Sequence, residues 1–369
     1  MKFSMMQSDL LESLQVAANA VPQKSTLPIL SHMLAEAKDG RLTLTATDLD
    51  LSIVTARPAE VDKEGRIAIP ARKLLEMMRE FPAEKVDVTV EAGNVTISFG
   101  KGVGKFNLVT ADPQDFPQIP KLEGGKKFAL PLVKFERAVQ KTSYAVSTDD
   151  MRPEMNGVLF QLDREKFTLV ATNGHRLARV NVIGAFDAEA DVIVPPKVLN
   201  QVLRLAGGID DLRVTMSKQY VLFELGGTKI YSRLIEGAFP NYGQVIPKES
   251  KRRVTVDRQL LASAVRRVSI LADSITHQIK LSLAPREITI DVSSAGVGTG
   301  QETVPADGDG ERFEVGFNAL YLLDILRTLD SDSVVFAFNT AVSAAVVTPG
   351  MNAEGEDALC LVMPLRLPE

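Results

Sequence analysis

The sequence predicts an α+β fold in which one module of antiparallel strands and helices occurs three times. The first observation is repetition: Lys2–Met5 is matched by Lys127–Leu130, and Thr47-Asp48 by Thr172-Asn173, both 125 residues further on. The second observation is that strand-like alternation recurs throughout, with only two helical patterns in each stretch of about 120 residues. Consecutive strands with so few helices favour antiparallel sheets with both helices on one side.

The first repeat, residues 1–121, shows the order βαβββ twice. Helices are predicted at Asp9 to Ala20 and Ala71–Phe81, because apolar residues there recur with the i, i+3, i+4, i+7 spacing of one helix face. Alternating residues predict strands at residues 2–5, Ile29–Ala37, Arg41–Thr47, Leu51–Arg57, Arg66–Pro70, Lys85–Val90, Val95–Phe99 and Lys105–Val109.

Residues 127–247 and 252–369 are predicted to repeat this order. In the second repeat, Ala238-Phe239-Pro240 answers Asp115-Phe116-Pro117 near the end of the first. Helices are predicted there at residues 134–141 and 197–206, and in the third repeat at Leu260–Leu271 and Leu320–Leu329. We expect a degenerate hairpin at Ile288–Thr303.

The turn Asn173-Gly174 is the clearest local signal in the second repeat. Asn-Gly between two alternating segments predicts a type I′ hairpin, in which both central residues have positive φ. His175 and Arg176 follow the turn directly and are unusually polar for a position that should pack.

Bulk composition restricts the class of protein. A net charge of −5 argues against general nucleic-acid affinity, and the single cysteine, Cys360, excludes a disulfide framework. The sequence shows neither a secretory signal nor an apolar run of about 18 residues, so we expect a cytoplasmic protein.

Catalytic and cofactor motifs are weak. The three histidines, His32, His175 and His277, lie in three different repeats, so the sequence predicts no metal site and no cofactor. The segment Gly100–Lys105 lacks the closing residues of a phosphate-binding loop and lies between two predicted strands, which favours a hairpin turn. A catalytic set dispersed along the sequence remains an alternative.

Charge is distributed unevenly between helices and the rest of the chain. The six helical patterns together carry +5, so the remainder carries −10. Lys134, Arg137 and Lys141 share one helix face, and Lys197 and Arg204 share another. Cationic helix faces that recur across repeats favour a sequence-independent phosphate-backbone surface, although ordinary solvated faces are the alternative.

The C-terminal stretch Leu361–Leu367 is strongly apolar. Such a chain end is typical of a last sheet strand, but it can also border a groove for a partner peptide.

Several motifs together resemble the bacterial sliding clamp family, the β subunits of DNA polymerase III. They are Met1–Phe3, Thr26–Leu30, Pro70–Lys73, Asn156-Gly157, Ala171–Leu177, Phe239–Tyr242 and Val362–Leu367. The resemblance covers the whole chain. It implies three DNA-clamp domains per chain, a head-to-tail homodimeric ring around double-stranded DNA, and a non-catalytic processivity factor. Its implied partners are the clamp loader and the replicative and repair polymerases, which bind through short linear motifs.

The resemblance also implies three sets of site residues. A partner-peptide pocket would be formed by Met155, Thr172, Gly174, His175, Arg176, Leu177, Pro240, Val245, Val342, Met363, Pro364, Leu365 and Arg366. DNA-facing residues would be Lys24, Arg72, Arg137, Lys141, Lys197 and Arg204. The dimer interface would join Phe106 to Ile270 and Leu271.

Four positions depart from the pattern of other members, and at one of them Asn173 replaces a commoner aspartate, which the turn tolerates equally well. Gln244 stands where some members have a pocket arginine, and Pro153 and Glu154 stand where some have aromatic residues. The glutamine bears on which peptide motif the pocket prefers, and Pro153 and Glu154 bear on whether single-stranded DNA stacks there. A three-repeat scaffold that binds peptides but no DNA remains an alternative to the clamp.

Overall fold

The computed structural model describes residues 1–91, 93–122 and 124–367. The last two residues of the third predicted repeat, Pro368 and Glu369, lie outside this range. Across the described residues the order βαβββ occurs six times, twice in each repeat, with one additional short strand in the first repeat.

Six α-helices begin close to their predicted positions. They are α1 Gln7–Ala17, α2 Ala71–Glu80, α3 Leu132–Thr142, α4 Pro196–Leu205, α5 Arg258–Val268 and α6 Ala319–Thr328. Side chains satisfy the first free N–H groups of two of them: Asp257 accepts from Leu260, and Asn318 accepts from Leu320 and Tyr321. α1 and α5 end earlier than predicted, because their last turns tighten into 3₁₀ turns.

The strands follow the same order in each repeat. The first repeat contains β1 Lys2–Met6, β2 His32–Lys38, β3 Arg41–Thr47, β4 Leu51–Pro58, β5 Glu60–Lys63, β6 Gly65–Pro70, β7 Lys85–Glu91, β8 Asn94–Phe99 and β9 Gly104–Val109. The second contains β10 Lys126–Pro131, β11 Val158–Leu162, β12 Lys166–Thr172, β13 Arg176–Ile183, β14 Ala190–Val194, β15 Asp211–Met216, β16 Tyr220–Leu225 and β17 Thr228–Arg233. The third contains β18 Arg252–Asp257, β19 Gln278–Ala284, β20 Glu287–Ser294, β21 Gly298–Gly308, β22 Phe313–Asn318, β23 Ser333–Phe338, β24 Ala345–Pro349 and β25 Glu356–Val362.

Two details differ from the sequence-based prediction, and one strand was missed. The strand predicted from Ile29 starts at His32, because Pro28, with its fixed φ, begins a 3₁₀ turn that runs to Ser31. The hairpin predicted to be degenerate is regular, since β20 and β21 pair without a register shift from Glu287 to Ser294. The missed strand is the short β5, which pairs with β1.

The chain divides into two compact units that do not coincide with the repeats. The first unit comprises Met1–Leu132 and Lys197–Leu234, and the second comprises Val133–Pro196 and Ile235–Glu369. The second repeat therefore contributes residues to both.

The first unit contains a five-stranded sheet, β5-β1-β7-β8-β9, and an eight-stranded sheet, β10-β15-β16-β17-β4-β3-β2-β6. The eight-stranded sheet crosses the repeat boundary where β17 pairs antiparallel with β4, with Ile230 opposite Ile53. Both residues are fully buried, so the junction is part of the core.

The second unit contains one twelve-stranded sheet in the order β14-β11-β12-β13-β25-β24-β23-β18-β21-β20-β19-β22. Here the repeat boundary is crossed where β13 pairs with β25, from Arg176 opposite Val362 to Val182 opposite Glu356. This junction places the predicted hairpin turn of the second repeat beside Val362, the last residue of β25.

Each repeat ends with the same backbone contact. A residue two or three positions after the last strand donates its N–H across to the strand before the second helix: Ala111 to Ala68, Ile235 to Ile193, and Leu365 to Gly316, at 2.8–2.9 Å. The chain then continues into a linker in the first two repeats and ends in the third.

No helix within the described ranges is long and apolar enough to cross a membrane.

Candidate functional site

The turn between β12 and β13 is held by side-chain hydrogen bonds. Asn173 Oδ1 accepts from the backbone N–H groups of His175 and Arg176, both at 3.0 Å, and Thr172 Oγ1 accepts from Gly174 N–H at 3.1 Å. Gly174 has a φ of 86°, whereas Asn173 does not have a positive φ. The predicted type I′ turn is therefore wrong: the loop has three residues, because the asparagine side chain replaces a backbone partner.

An apolar cluster lies beneath this turn. Its buried members are Leu159, Val170, Leu177, Ile193, Val346 and Leu361, and Ile235, Phe239, Tyr242, Ile246, Ala337 and Leu359 pack against it while partly buried. Three apolar side chains of the predicted pocket are exposed: Val245 at 55%, Val342 at 69% and Met363 at 41%. Exposed apolar side chains near a buried apolar cluster are typical of a docking surface.

The C-terminal segment Met363–Leu367, called the tail below, extends from β25. Met363 donates its N–H to the His175 carbonyl at 2.8 Å, which continues the β13–β25 ladder by one residue. Leu365 and Arg366 lie on the other side of Pro364, where they bond to Gly316 of β22 and Gln278 of β19. The structure thus brings Met363 to the predicted pocket turn, but it holds Leu365 and Arg366 at β22 and β19, the last two strands of the same twelve-stranded sheet.

Arg176 points inward and is only 11% exposed. Its guanidinium lies between two rings, 5.1 Å from the centroid of Tyr144 and 4.6 Å from that of Tyr321, and its Nη1 donates to Asp324 Oδ2 at 2.6 Å. The Tyr321 ring also stacks on His175 at 6.5 Å. A cation between two aromatic faces and beside a carboxylate is held in one orientation.

Sequence reasoning missed Tyr144, Tyr321 and Asp324. Tyr321 and Asp324 are three residues apart on α6 and share one helix face, but nothing in the sequence indicates that this face meets a residue of the second repeat. Tyr144 donates its hydroxyl to Cys360 Sγ at 3.3 Å. Burial raises the pKa of the Cys360 thiol to about 11, so this cysteine stays protonated and is a poor nucleophile.

The remaining pocket residues have different environments. Met155 and Thr172 are buried, and Met155 accepts a backbone hydrogen bond from Ser147 at 2.8 Å. Gly174, His175 and Pro240 are exposed. All thirteen predicted pocket residues belong to the second unit.

Four of the six predicted DNA-facing residues are exposed: Lys24, Arg72, Lys197 and Arg204. Arg72 and Lys197 line a cavity of about 440 Å³ in the first unit, together with Asp48, to which Lys197 is ion-paired. Arg72 also donates to the Pro22 carbonyl at 3.1 Å.

The other two cations are tied to carboxylates inside the second unit. Lys141 is 3% exposed and binds Glu356 at 2.8 Å and Asp330 at 2.9 Å, while Arg137 binds the same two residues at 3.2 and 2.6 Å. Burial alone would raise the pKa of Asp330, but the Lys141 hydrogen bond and the two positive charges outweigh it, and the pKa is lowered. The prediction that Lys141 faces DNA is wrong, because its ammonium group is buried and ion-paired with Glu356 and Asp330.

The predicted dimer residues belong to separate units, and two of the three are exposed. Phe106 on β9 is 42% exposed and packs against Phe81 and Phe99, with ring centroids 4.9 and 6.2 Å away. β9 is the outer strand of its sheet. Ile270, in the 3₁₀ turn after α5, is 76% exposed, and Leu271 is half-buried.

The described part of the chain contains no cluster of three or more histidine, cysteine, aspartate or glutamate residues arranged to hold a metal ion. Gly100–Gly102 forms a 3₁₀ turn between β8 and β9, which confirms the hairpin interpretation of the glycine-rich segment.

Comparison with protein families covers nearly the whole chain. Residues 1–120 match the N-terminal domain of the DNA polymerase III beta subunit, residues 129–241 the central domain, and residues 243–366 the C-terminal domain. These matches show three successive domains of one family. The compact units divide the chain differently, so our domain boundaries at 121, 127, 247 and 252 stay a prediction.

Individual relatives are similar over their full length. The chain is 34% identical over 377 residues to the beta sliding clamp of Caulobacter vibrioides, with all of both chains covered. The crystal structure of a DNA polymerase sliding clamp from Pseudomonas aeruginosa with ligand has a TM-score of 0.94 at 31% identity, and that of a clamp from the same organism bound to griselimycin has 0.92 at 30%, each with complete coverage of both chains.

Proposed function

The chain belongs to the DNA polymerase III beta subunit family, the bacterial sliding clamps, and we propose that it confers processivity by encircling duplex DNA and tethering the replicative polymerase and other replication and repair proteins. A clamp of this family has no catalytic activity of its own. Such a protein acts where the chromosome is copied, so we place it in the cytoplasm.

One observation carries the assignment of the protein-binding site: an apolar cluster bordered by the Thr172–Arg176 turn and by the tail. A short linear motif with apolar side chains gains affinity by burying them where water is already displaced by such a cluster. The clamp bound to griselimycin shows that a member at 30% identity binds this compound. We propose that griselimycin and the linear motifs of polymerases and of the clamp loader occupy this pocket here.

The exposed cations support contact with DNA. Lys24, Arg72, Lys197 and Arg204 offer positive charge without any constellation that reads base edges, which is typical of sequence-independent phosphate contact. The net charge of −5 predicts that contact alone is weak and salt-sensitive. Retention on DNA therefore has to come from ring closure.

Ring closure is proposed to join two chains head to tail. The outer edge of β9 carries no strand partner in the described residues, and residues 298–305 of β21 likewise pair on one side only, with β20. Two unpaired edges can add to each other as antiparallel strands, with Phe106 of one chain against Ile270 and Leu271 of the other. Lys105 on β9 and Glu302 on β21 carry charges of opposite sign, and Glu302 is held by an ion pair with Arg267 of its own chain.

A retention assay tests the clamp directly. The protein is loaded onto nicked circular DNA with the cognate clamp loader and ATP, washed at raised salt, and the circle is then cut once. We expect the protein to stay on the circle and to leave after linearisation, because a topological link ends when DNA ends exist. Unchanged retention after cutting would show binding by contact, and the clamp function would be rejected.

Charge reversal separates the clamp from a peptide-binding scaffold. Lys197→Glu with Arg204→Glu is expected to reduce loading and retention on DNA while leaving griselimycin affinity unchanged. A scaffold that never touches DNA would be indifferent to both substitutions in the loading assay.

A further inference from the structure

The tail lies unusually close to the sheet on which it ends. An added Cβ on Gly316 would come within 2.7 Å of the Leu365 carbonyl oxygen and 2.9 Å of Leu367 Cδ2. Contacts below 3.0 Å require movement, and here the first atom belongs to the backbone. Gly316 therefore allows the tail to cross directly over β22.

The equivalent positions of the other two repeats do not need glycine. Ala68 and Ile193 make the same backbone bridge to Ala111 and Ile235, although both carry side chains. The bridge thus tolerates a Cβ in those two repeats. What requires glycine in the third repeat is the closer approach of the tail to this strand, by the Leu365 carbonyl oxygen at the bridge and by the Leu367 side chain beyond it.

A second contact holds the tail beyond the bridge. Gln278 Nε2 donates to the Arg366 carbonyl at 3.0 Å, and Gln278 lies on β19, next to β22. Leu367 then lines a cavity of about 890 Å³ with Gln278 and Glu314. Two hydrogen bonds thus hold the tail after Pro364, and Gly316 leaves the space that the tail needs.

We infer that Gly316 and Gln278 act as a clasp that positions the tail as one wall of the proposed peptide pocket. Met363 is bonded to His175 at one end of the tail, and the clasp holds Leu365 and Arg366 at the other, so Pro364 between them has little freedom. A wall that is already ordered costs less conformational entropy when a peptide binds. Gly316 and Gln278 are positioning residues in this scheme, since they act through the tail. The inference rests on the proposed function of the pocket.

The main test compares griselimycin affinity in the full chain and in a chain that ends at Pro364. Gly316→Ala is expected to raise the Kd about tenfold in the full chain, because the added Cβ displaces the Leu365 backbone, and Gln278→Ala about threefold, because one hydrogen bond to the tail is lost. In the shortened chain neither substitution should change the Kd further, because residues that act through one element are not additive. Gly207→Ala is the matched control, since an added Cβ there meets no atom within 4 Å.

Amide hydrogen exchange provides the second readout. The Leu365 N–H is expected to exchange faster in both clasp variants, with exchange in β25 unchanged. Equal losses of affinity in the full and the shortened chain would overturn the inference, as would faster Leu365 exchange with an unchanged Kd. Failure of the unchanged chain to bind griselimycin would overturn the proposed pocket itself, and the clasp with it.

Discussion

Two turns of the molecule have the same backbone and different surroundings. In the first repeat Asp48 Oδ1 accepts from the N–H groups of Asp50 and Leu51, and Thr47 Oγ1 accepts from that of Leu49. In the second repeat the equivalent side chains, Asn173 and Thr172, accept from the N–H groups at the equivalent positions. The end of the adjoining last strand also makes an equivalent backbone hydrogen bond: Met363, just after β25, donates to the His175 carbonyl at 2.8 Å, and Arg233, the final residue of β17, donates to the Asp50 carbonyl at 2.7 Å.

What differs is the chemistry beneath the turns. The cluster residues Val170 and Leu177 correspond, 125 residues earlier, to Thr45 and Ser52, both buried. Ser52 Oγ lies 2.7 Å from Thr47 Oγ1, so its hydroxyl is satisfied within the turn. Leu361, opposite Leu177, corresponds to Tyr231, opposite Ser52. A repeated backbone therefore yields an apolar docking site only where the buried positions are apolar, which explains why we propose one pocket per chain.

The largest expected effect is on the free energy of unfolding, and it follows from comparing the first helices of the first two repeats, α1 and α3. Glu12 on α1 and Arg137 on α3 are equivalent positions, but Glu12 forms an exposed pair with Arg57, whereas α3 is tied by the buried network of Lys141 and Glu356. Lys141→Met is expected to lower the free energy of unfolding by about 3 kcal/mol, because it leaves a buried carboxylate without its main partner. Urea titration measures it, and Arg57→Met, the surface control, should cost less than about 1 kcal/mol. A small effect of Lys141→Met would mean that Arg137 alone satisfies Glu356.

The next effect concerns the cluster. Val170→Thr with Leu177→Ser gives the second-repeat turn the buried residues of the first, and we expect griselimycin affinity to fall about 100-fold, since each lost apolar contact is worth about 1–2 kcal/mol. Isothermal titration calorimetry on protein with an unchanged circular dichroism spectrum gives the Kd. Thr45→Val is the control and should leave it unchanged. Full affinity in the double variant would place the binding site elsewhere.

A smaller change is expected when Arg176 is replaced by leucine, the residue at the matching position of the first repeat. Arg176→Leu removes the contacts of the guanidinium with Tyr144, Tyr321 and Asp324. The start of β13, next to the turn, is then no longer fixed to these three residues. We expect about a tenfold loss of griselimycin affinity, in the range of a partly buried charged hydrogen bond. Asp324→Asn separates charge from packing: it should produce a lesser loss, and an equal or greater loss would assign the effect to the carboxylate.

The smallest effect is in the turn backbone. Leu49 and Gly174 both adopt positive φ, at 84° and 86°, a conformation that costs a residue with a Cβ about 1 kcal/mol. Gly174→Ala should therefore destabilise the protein by about 1 kcal/mol, whereas Leu49→Gly should stabilise it by about half as much, because glycine also gains freedom in the unfolded chain. Thermal unfolding of both variants, followed in parallel, measures the difference. Shifts of the Tm in the same direction for both variants would contradict the equivalence of the two turns.

The comparison also indicates what a sequence can predict. Periodicity and the 125-residue offset predicted all six helices and most strands, since both are local properties of consecutive residues. Asn173-Gly174 predicted a turn but the wrong type, because an asparagine side chain can take the place of a backbone acceptor. Lys141 shared a helix face with Arg137 as predicted, but the carboxylates that bury it come from residues 330 and 356. The aromatic rings around Arg176 were missed for the same reason: they depend on a junction between distant strands, which no local pattern encodes.

That junction has a consequence for the order in which the protein is synthesised. The first compact unit has all its strands once Arg233 of β17 has been translated. β13 has been translated by then as well, but its neighbour β25 is the last strand of the chain. One edge of β13, which is largely apolar, therefore stays unpaired until residue 362 has been translated. Nascent chains with such edges pair with one another or bind chaperones. We therefore expect chains interrupted before β25 to be lost to aggregation or degradation, although every residue of the second repeat is present in them.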